Sequence, residues 1–190
     1  MNEISERRRR SRRRYYRYEL ISFAVMLAVV YLICVNTVRY VGQKTLVDGS
    51  SMSPTLEDGD VLIVDKLSYR FREPERFDVV VFRYLHKENS YYIKRIIGLP
   101  GETVQIKEGQ IYIDGQLLRE EFGNAVMTNP GRAGQPITLG SDEYFVLGDN
   151  RNNSSDSRDP SVGSIRRDTI IGKAWVRIWP FSEFGVLKHQ

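Results

Sequence analysis

One apolar stretch, residues 20–38, constrains this chain more than any other feature of its sequence. Its nineteen residues carry no charge, and only Ser22, Asn36 and Thr37 are polar. A helix of this length is roughly 28 Å long, about the thickness of the hydrocarbon core of a bilayer. We therefore predict that this stretch is a membrane-spanning helix.

An arginine-rich tail, residues 1–19, precedes the apolar stretch. The tail holds eight arginines and three glutamates, a net charge of +5, whereas the whole chain carries +4. The remaining 171 residues therefore sum to about −1. Because a nucleic-acid-binding protein would carry its positive charge on the folded domain, no nucleic acid partner is predicted. Arginines on the N-terminal flank of a span favour a cytoplasmic N-terminus and an extracytoplasmic remainder.

Two other interpretations of the apolar stretch compete with an uncleaved anchor. A helix buried in a globular core leaves no place for the adjacent arginine block. A cleaved signal peptide normally has a shorter apolar region and a small-residue cleavage site, which residues 36–40 (NTVRY) do not offer. The single cysteine, Cys34, lies within the stretch, so no intramolecular disulfide is expected. We predict a single-pass anchor in the cell membrane, with the lipid bilayer as a partner.

Beyond the anchor the sequence pattern is mostly that of short strands. Two apolar runs, residues 61–64 and 78–82, are typical of strands buried on both faces. Asp114-Gly115 between alternating apolar residues predicts a tight hairpin. A polar segment with Gly and Pro, residues 119–140, indicates a long excursion. The predicted strands are residues 45–46, 61–64, 78–82, 91–97, 103–106, 110–113, 116–118, 143–147 and 169–179.

These strands predict a mainly β fold, with an extracytoplasmic domain of bent antiparallel sheets arranged as a barrel or a sandwich. The sequence contains no internal repeat. The predicted organisation is a cytoplasmic tail at 1–19, one N-terminal transmembrane helix at 20–38, a connector at 39–44 and the β domain at 45–190.

A constrained turn carries one candidate nucleophile, Ser51. Gly49 precedes this serine and Pro54 follows it, so Ser51 lies on a turn rather than inside a long regular element. Such a turn can expose a hydroxyl and direct backbone N–H groups at one point, as an oxyanion hole requires. Taken alone, this cluster is more often an ordinary loop, and Ser50 and Ser53 are adjacent decoys.

Lys94 is the candidate base, because the two histidines, His86 and His189, lie outside any motif. A serine hydroxyl needs a neighbouring base to take its proton. On the predicted strand Lys94 and Arg95 point to opposite, largely apolar faces, so one of the two cations must lie in an apolar setting or reach out of it. Desolvation lowers the pKa of a lysine and allows a free amine at neutral pH. The competing interpretation is a lysine that snorkels, with its ammonium in water.

A polar loop, residues 148–159, is the third chemical cluster. A solvated acidic loop and a calcium loop are the alternatives, although its spacing lacks the full EF-hand pattern. As a hydrogen-bonding loop, it places Ser154 where it could hold an amine. Asp156 and Arg158 could pair beneath a site.

Four segments of the sequence carry dense motifs: residues 51–56 (SMSPTL), 59–66 (GDVLIVDK), 92–101 (YIKRIIGLPG) and 148–158 (GDNRNNSSDSR). Together they resemble the type I signal peptidase (leader peptidase) family, and the resemblance covers residues 20–181. It implies a signal-peptidase-like β fold and a membrane-bound serine endopeptidase that cleaves signal peptides from exported preproteins after small residues, without a cofactor. The size and the single span resemble the Gram-positive branch.

The resemblance also implies roles for individual residues. Ser51 would attack the scissile carbonyl, and Lys94, as a neutral amine, would be the general base. Ser154 would orient the lysine amine. Asp156 and Arg158 would form a structural pair near the site.

The oxyanion site and the substrate site follow from the same resemblance. The backbone N–H of Ser51 would donate to the oxyanion. Some family members add a side-chain hydroxyl two residues before the nucleophile, but that position is Gly49 here, so this donor is missing. The substrate strand would add to a sheet edge. The implied substrate-binding residues are Met52, Leu56, Tyr92 and Ile93.

Two other functions compete with signal-peptide cleavage. A self-cleaving Ser/Lys repressor should carry a DNA-binding helix pair and no membrane span. An inert anchored β domain should have lost Ser51 or Lys94. Loss of preprotein cleavage on replacing either residue is the expected test, with Ser50→Ala and Arg95→Ala expected to leave the protein folded. The sequence indicates no oligomeric state.

Overall fold

The computed structural model describes residues 3–40, 42–123 and 125–187, and within the first of these ranges it describes the side chains of residues 16–35. The chain divides into two compact units. One contains the N-terminal helix, and the other begins at Gly42.

The N-terminal unit is one helix, α1 (Glu3–Tyr40). Its segment Tyr16–Val35 has a mean hydropathy of 2.3, and none of that segment is buried. By length and composition the segment could cross a membrane, so the predicted N-terminal apolar helix is confirmed. The side chains of residues 1–15 in the predicted tail, and of residues 36–38 in the predicted span, lie outside the described residues.

The second unit contains, within the described residues, twelve strands and four short 3-10 helices. Each predicted strand is present. The strands are β1 (Gly42–Leu46), β2 (Val61–Asp65), β3 (Val79–Arg83), β4 (Tyr91–Gly98), β5 (Thr103–Lys107), β6 (Gln110–Ile113), β7 (Gln116–Leu117), β8 (Ile137–Thr138), β9 (Glu143–Leu147), β10 (Ile165–Arg166), β11 (Ile170–Trp179) and β12 (Gly185–Val186). The 3-10 helices are η1 (Ser68–Arg70), η2 (Gly131–Gly134), η3 (Arg167–Thr169) and η4 (Phe181–Glu183).

The strands form two antiparallel sheets, which confirms the predicted fold class. The larger sheet has the order β1-β2-β11-β3-β4-β9-β10, with β12 paired to β11. The smaller sheet has the order β7-β6-β5-β8. Register shifts within the β11 and β4 pairings bend the larger sheet.

Two details differ from the sequence-based expectation. β1 begins at Gly42, inside the predicted connector, because its full length pairs with β2 from Gly42 opposite Asp65 to Leu46 opposite Val61. The predicted excursion at 119–140 contains η2 and β8, which are too short to show a periodic pattern.

The burial of β2 also differs from the prediction. Leu62 and Val64 are buried, whereas Val61 and Ile63 are half-buried, so β2 packs mainly through one face. The expectation of burial on both faces is therefore wrong for β2. It holds for β3, where residues 79–82 are all buried.

A long turn between β1 and β2, residues 47–60, carries the candidate nucleophile. Backbone hydrogen bonds from Val47 N to Asp60 O (2.8 Å) and from Gly59 N to Val47 O (3.0 Å) close its base. Each large apolar side chain buried beneath the turn contributes about 1.5–3 kcal/mol. The buried cluster consists of Val47, Met52, Leu56, Leu62, Val79, Ala174 and Leu187.

Two strand edges are left open in the described sheet. β9 pairs with β4 only from Arg95 to Gly98, so residues 91–94 have no strand beside them on that side. β1 pairs with β2 alone. Lys94 lies at the end of the uncovered part of β4.

Candidate active site

Ser51 and Lys94, which are 43 residues apart in the chain, are in direct contact. Lys94 Nζ lies 2.6 Å from Ser51 Oγ and also donates to Ile93 O at 2.9 Å. When the amine is neutral, the first contact can run from the hydroxyl to the nitrogen, which is the geometry a general base requires.

Lys94 is buried and has no ion-pair partner among the described residues. Only 4% of its surface is exposed. Burial lowers the pKa of Lys94 to about 8, although the carboxylates of Asp156 and Asp149 act in the opposite direction. Desolvation disfavours the charged ammonium and therefore makes the free amine accessible near neutral pH.

Arg95, the next residue, is buried with a partner. Its Nε and Nη2 donate to Oδ1 and Oδ2 of Asp149 at 2.9 and 2.7 Å, and both side chains are fully buried. The guanidinium lies 3.6 Å from the centre of the Phe122 ring. Both cations of β4 are thus buried. Arg95→Ala is therefore not a neutral control, because it would leave the Asp149 carboxylate buried and uncompensated.

The neighbouring serines make other contacts. Ser50 Oγ accepts a hydrogen bond from Asn153 Nδ2 at 3.0 Å. Ser53 Oγ donates to Glu57 Oε1 at 2.7 Å. Of the three serines in this turn, the described contacts bring only Ser51 to the lysine.

The loop at residues 148–158 holds the turn that carries Ser51. Asn150 N donates to Ser51 O, and Asn150 Nδ2 donates to Ser50 O, both at 3.1 Å. A Cβ on Gly148 would lie 2.4 Å from Ser51 O, so only glycine permits this approach. The roles of Asn150 and Asn153 are not predicted from the sequence, where the density of amide side chains in this loop is the one signal for them.

Ser154 lies beside the dyad but does not bond to it. It lines the same cleft, yet its buried Oγ has no hydrogen-bond partner among the described residues. The Oγ is directed at Gly148, where a Cβ would come within 2.2 Å of it. A hydrogen bond from Ser154 to Lys94 is not among the contacts of the described residues.

Asp156 and Arg158 form a buried ion pair. Arg158 donates from Nε and Nη2 to the two oxygens of Asp156, each at 2.8 Å. Asp156 also accepts from the backbone N–H of Gly148 at 3.1 Å. The Asp156 carboxylate therefore joins Gly148 and Arg158, the two ends of the loop that contacts the Ser51 turn.

The backbone at Ser51 offers one free donor. Its N–H donates no hydrogen bond within the described part of the chain. Gly49 has φ +92 and donates its own N–H to Asp58 Oδ1 at 2.8 Å. Gly49 thus shapes the turn without supplying a side-chain donor.

A cleft of about 690 Å³ surrounds the dyad, and we call it the dyad cleft. Its walls are residues 45–52, 91–94 and 152–155. Met52, Tyr92 and Ile93 are therefore placed along it, although Met52 is only 1% exposed.

Leu56 corrects the predicted set of substrate-binding residues. It is 0% exposed, does not line the dyad cleft and packs in the core cluster beneath the turn. Burial in that core leaves no surface for a substrate. Among the described residues, no group of three or more His, Cys, Asp or Glu side chains could hold a metal ion.

A serine beside a buried lysine, within a cleft bounded by open strand edges, defines a candidate serine peptidase site. The family model described as signal peptidase, peptidase S26, matches residues 18–179. The chain therefore belongs to the signal peptidase family.

Individual relatives agree with this membership. The chain is 40% identical over 168 residues to a probable signal peptidase I-2 of Synechocystis, covering 86% of this chain and 74% of the relative. It is 33% identical over 187 residues to signal peptidase IB of Staphylococcus aureus, covering 90% and 94%. A crystal structure of a signal peptidase I from Enterococcus faecalis is 34% identical, with a TM-score of 0.46 over 54% of this chain and 97% of that one. The Gram-positive-type branch stays a prediction, since relatives from both Synechocystis and Staphylococcus aureus match.

Proposed function

We propose that Ser51 and Lys94 are the catalytic dyad with which this signal peptidase cleaves N-terminal signal peptides from exported preproteins. The observation that carries the proposal is the 2.6 Å contact between Ser51 Oγ and the buried, unpaired Lys94 Nζ. Burial makes the Lys94 amine available as a base. The Ser51 hydroxyl becomes a strong nucleophile only when such a base takes its proton.

In the first step Lys94 takes the proton of the Ser51 hydroxyl as Oγ attacks the scissile carbonyl carbon. The negative charge moves to the carbonyl oxygen, where the unpaired backbone N–H of Ser51 is the donor that we assign. Collapse of this intermediate breaks the C–N bond, and Lys94 returns the proton to the leaving amine. The mature protein leaves, and the signal peptide remains as an ester on Ser51.

In the second step Lys94 removes a proton from water, and the resulting hydroxide attacks the ester carbonyl. The ester C–O bond breaks, and Ser51 Oγ recovers the proton from Lys94. The products are a free signal peptide and the starting enzyme. Ser154 is proposed to orient the lysine amine once substrate is bound, because its Oγ makes no hydrogen bond to Lys94 among the described residues as the structure stands. The Asp156–Arg158 pair is proposed to hold the loop.

The substrate is proposed to bind as an added strand. The open edges of β1 and of residues 91–94 both border the dyad cleft, so an extended peptide can pair with backbone groups there. Met52 and Ile93 are proposed to limit the side chains near the cut to small ones. Tyr92 forms part of the same wall.

The membrane arrangement is part of the same proposal. We assign α1 as a single-pass anchor with a cytoplasmic N-terminus and an extracytoplasmic catalytic domain. A signal peptide about to be cut still has its apolar region in the bilayer. Anchoring the enzyme in the same membrane raises the effective concentration of the cut site.

Cleavage of a purified preprotein by the full-length enzyme in detergent tests the dyad. Ser51→Ala and Lys94→Ala should each lower kcat/KM by on the order of 10⁴-fold or more. Ser53→Ala and Lys107→Ala are matched controls, because Ser53 bonds to Glu57 and Lys107 lies on the smaller sheet. Activity in Ser51→Ala comparable with that of the controls would refute the proposal.

A further inference from the structure

A second cleft, of about 520 Å³, lies along the other side of the loop that carries Ser154, and we call it the arginine cleft. Its lining includes Arg132, Arg151 and Arg158. It shares Asn152 and Ser154 with the dyad cleft, so residues of one loop line both clefts. The proposed function does not use this basic cleft.

Arg132 is the free cation of the arginine cleft. Its side chain is exposed and makes no hydrogen bond or ion pair within the described residues. Its position is nevertheless fixed by the backbone, because Arg132 N donates to Arg158 O at 3.0 Å. A Cβ on Gly131 would lie only 2.4 Å from the same oxygen, so η2 packs directly on the end of the loop.

The other two arginines have their counter-charges outside the cleft. Arg158 pairs with Asp156, and Arg151 Nη1 pairs with Glu120 at 2.5 Å, and neither carboxylate lines the cleft. Arg151 Nη2 is buried without a hydrogen-bond partner in the described part of the chain. Among the described lining residues, Asp159 is the only acid. Arg151 and Arg158 are thus compensated by their own carboxylates, and Arg132 is the exposed guanidinium that a ligand in the cleft would meet.

The shared loop defines where the cleft lies relative to a substrate. On the proposed function, the signal-peptide side of the substrate pairs with β1 and with residues 91–94. With that side occupied, the segment after the cut would leave the dyad cleft along residues 152–155, and Asn152 and Ser154 of that loop also line the arginine cleft. The first residues of the mature protein would then be the part of the substrate nearest to the arginine cleft.

We propose that the arginine cleft binds a carboxylate side chain of the mature segment, within the first residues after the cut, and that Arg132 determines this preference. The proposal rests on the proposed function. An unpaired guanidinium offers planar N–H donors that match a carboxylate in a two-point hydrogen bond.

The test uses three preproteins with one signal peptide and one cut site, and with glutamate, glutamine or lysine at the second to fourth residues after the cut. With full-length enzyme in a neutral detergent, kcat/KM should be about five-fold higher for the glutamate than for the lysine substrate, as expected of one solvent-accessible ion pair. Arg132→Glu should reverse this order. Arg70→Glu is the matched control, because Arg70 is exposed, lines neither cleft and should keep the wild-type ratio.

Every outcome decides the proposal. An equal ratio in wild type and Arg132→Glu overturns it. An equal ratio together with loss of binding to phosphatidylglycerol vesicles in Arg132→Glu assigns the cleft to lipid and also overturns it. Failure of the proposed function is a different result, in which the wild-type enzyme leaves the glutamine substrate uncut or Ser51→Ala still cleaves it.

Discussion

Two adjacent cations on β4 meet opposite electrostatic environments. Lys94 is buried with no ion-pair partner among the described residues, and burial lowers its pKa to about 8. Arg95 is buried in a two-point ion pair with Asp149, so its guanidinium is committed to a carboxylate. One strand thus provides a lysine that can act as a base and an arginine that cannot.

The burial of Lys94 should reduce stability. At pH 7 the ammonium is desolvated in the folded protein and hydrated in the unfolded one. Lys94→Met, which keeps the volume and removes the charge, should therefore raise the free energy of unfolding by on the order of 1–3 kcal/mol. Thermal unfolding in detergent would measure this as a higher Tm.

The stability difference between Lys94→Met and the wild type should depend on pH. The folded-state pKa of Lys94, about 8, lies below the ordinary lysine value of 10.5. The unfolded chain therefore binds more protons between these pH values, and wild-type stability rises through that window. The advantage of Lys94→Met should shrink from pH 8 to pH 10.5, and an unchanged or lower Tm at pH 7 would contradict the burial of an ammonium.

Sequence alternation alone was enough to place Lys94 and Arg95 on opposite faces of a strand. It could not show that the face of Arg95 is closed by Asp149, which lies 54 residues away. Nor could it show that Leu56 belongs to the core, because an apolar residue in a turn can face either a core or a cleft. Both features are set by contacts between segments that are far apart in the sequence.

At the level of elements, β4 and the loop at residues 148–158 act together. Asp149 joins that loop to β4 through its ion pair with Arg95. It also accepts a hydrogen bond of 2.6 Å from Thr55 Oγ1, which belongs to the turn that carries Ser51. Asn150 adds the two backbone contacts to the same turn. The nucleophile and the base are thus positioned by a third element that touches both.

Removing this connection should destabilise the fold. Arg95→Ala leaves a buried carboxylate without a partner and should lower the free energy of unfolding by about 3–5 kcal/mol. Arg166→Ala is the matched control, because its ion pairs with Asp142 and Asp168 are exposed and should cost less than about 1 kcal/mol. Thermal unfolding in a Ser51→Ala background would compare them, and equal losses would argue against a structural role for Arg95.

The strands were predictable because alternation and turn residues are local signals. Each predicted strand is present, including the hairpin around Asp114-Gly115 that joins β6 and β7. The two-residue strands β8, β10 and β12 were missed, since two residues carry no period. The start of β1 at Gly42 was missed as well. Residues 42–44 are Gly, Gln and Lys, which do not show the apolar alternation of a strand, and only their pairing with β2 makes them one.

At the scale of the whole molecule, the chain combines a signal peptidase domain with an apolar helix that could cross a membrane. Family membership gives the activity, and the segment Tyr16–Val35 has the length and hydropathy of a span. The arginines before it predict the orientation of the N-terminus. With the predicted orientation, the enzyme would work at the membrane face where signal peptides emerge.

Cysteine labelling of intact cells tests that orientation. In a Cys34→Ser background, Ser182→Cys on η4 should react with a membrane-impermeant maleimide, because Ser182 is exposed on the β unit. Ser5→Cys, in the predicted cytoplasmic tail, should react only after the cells are opened. The reverse pattern would contradict the predicted topology.

Whether Lys94 acts as a neutral base toward Ser51 is tested most directly by the pH dependence of kcat/KM for one preprotein between pH 5.5 and 9.5. Because burial lowers the pKa of Lys94 to about 8, the amine is protonated and inactive below that value. We predict that kcat/KM falls about ten-fold per pH unit below a midpoint near 8 and is level above it. A profile that stays flat from pH 8 to pH 6, with the enzyme still folded, would contradict a lysine base.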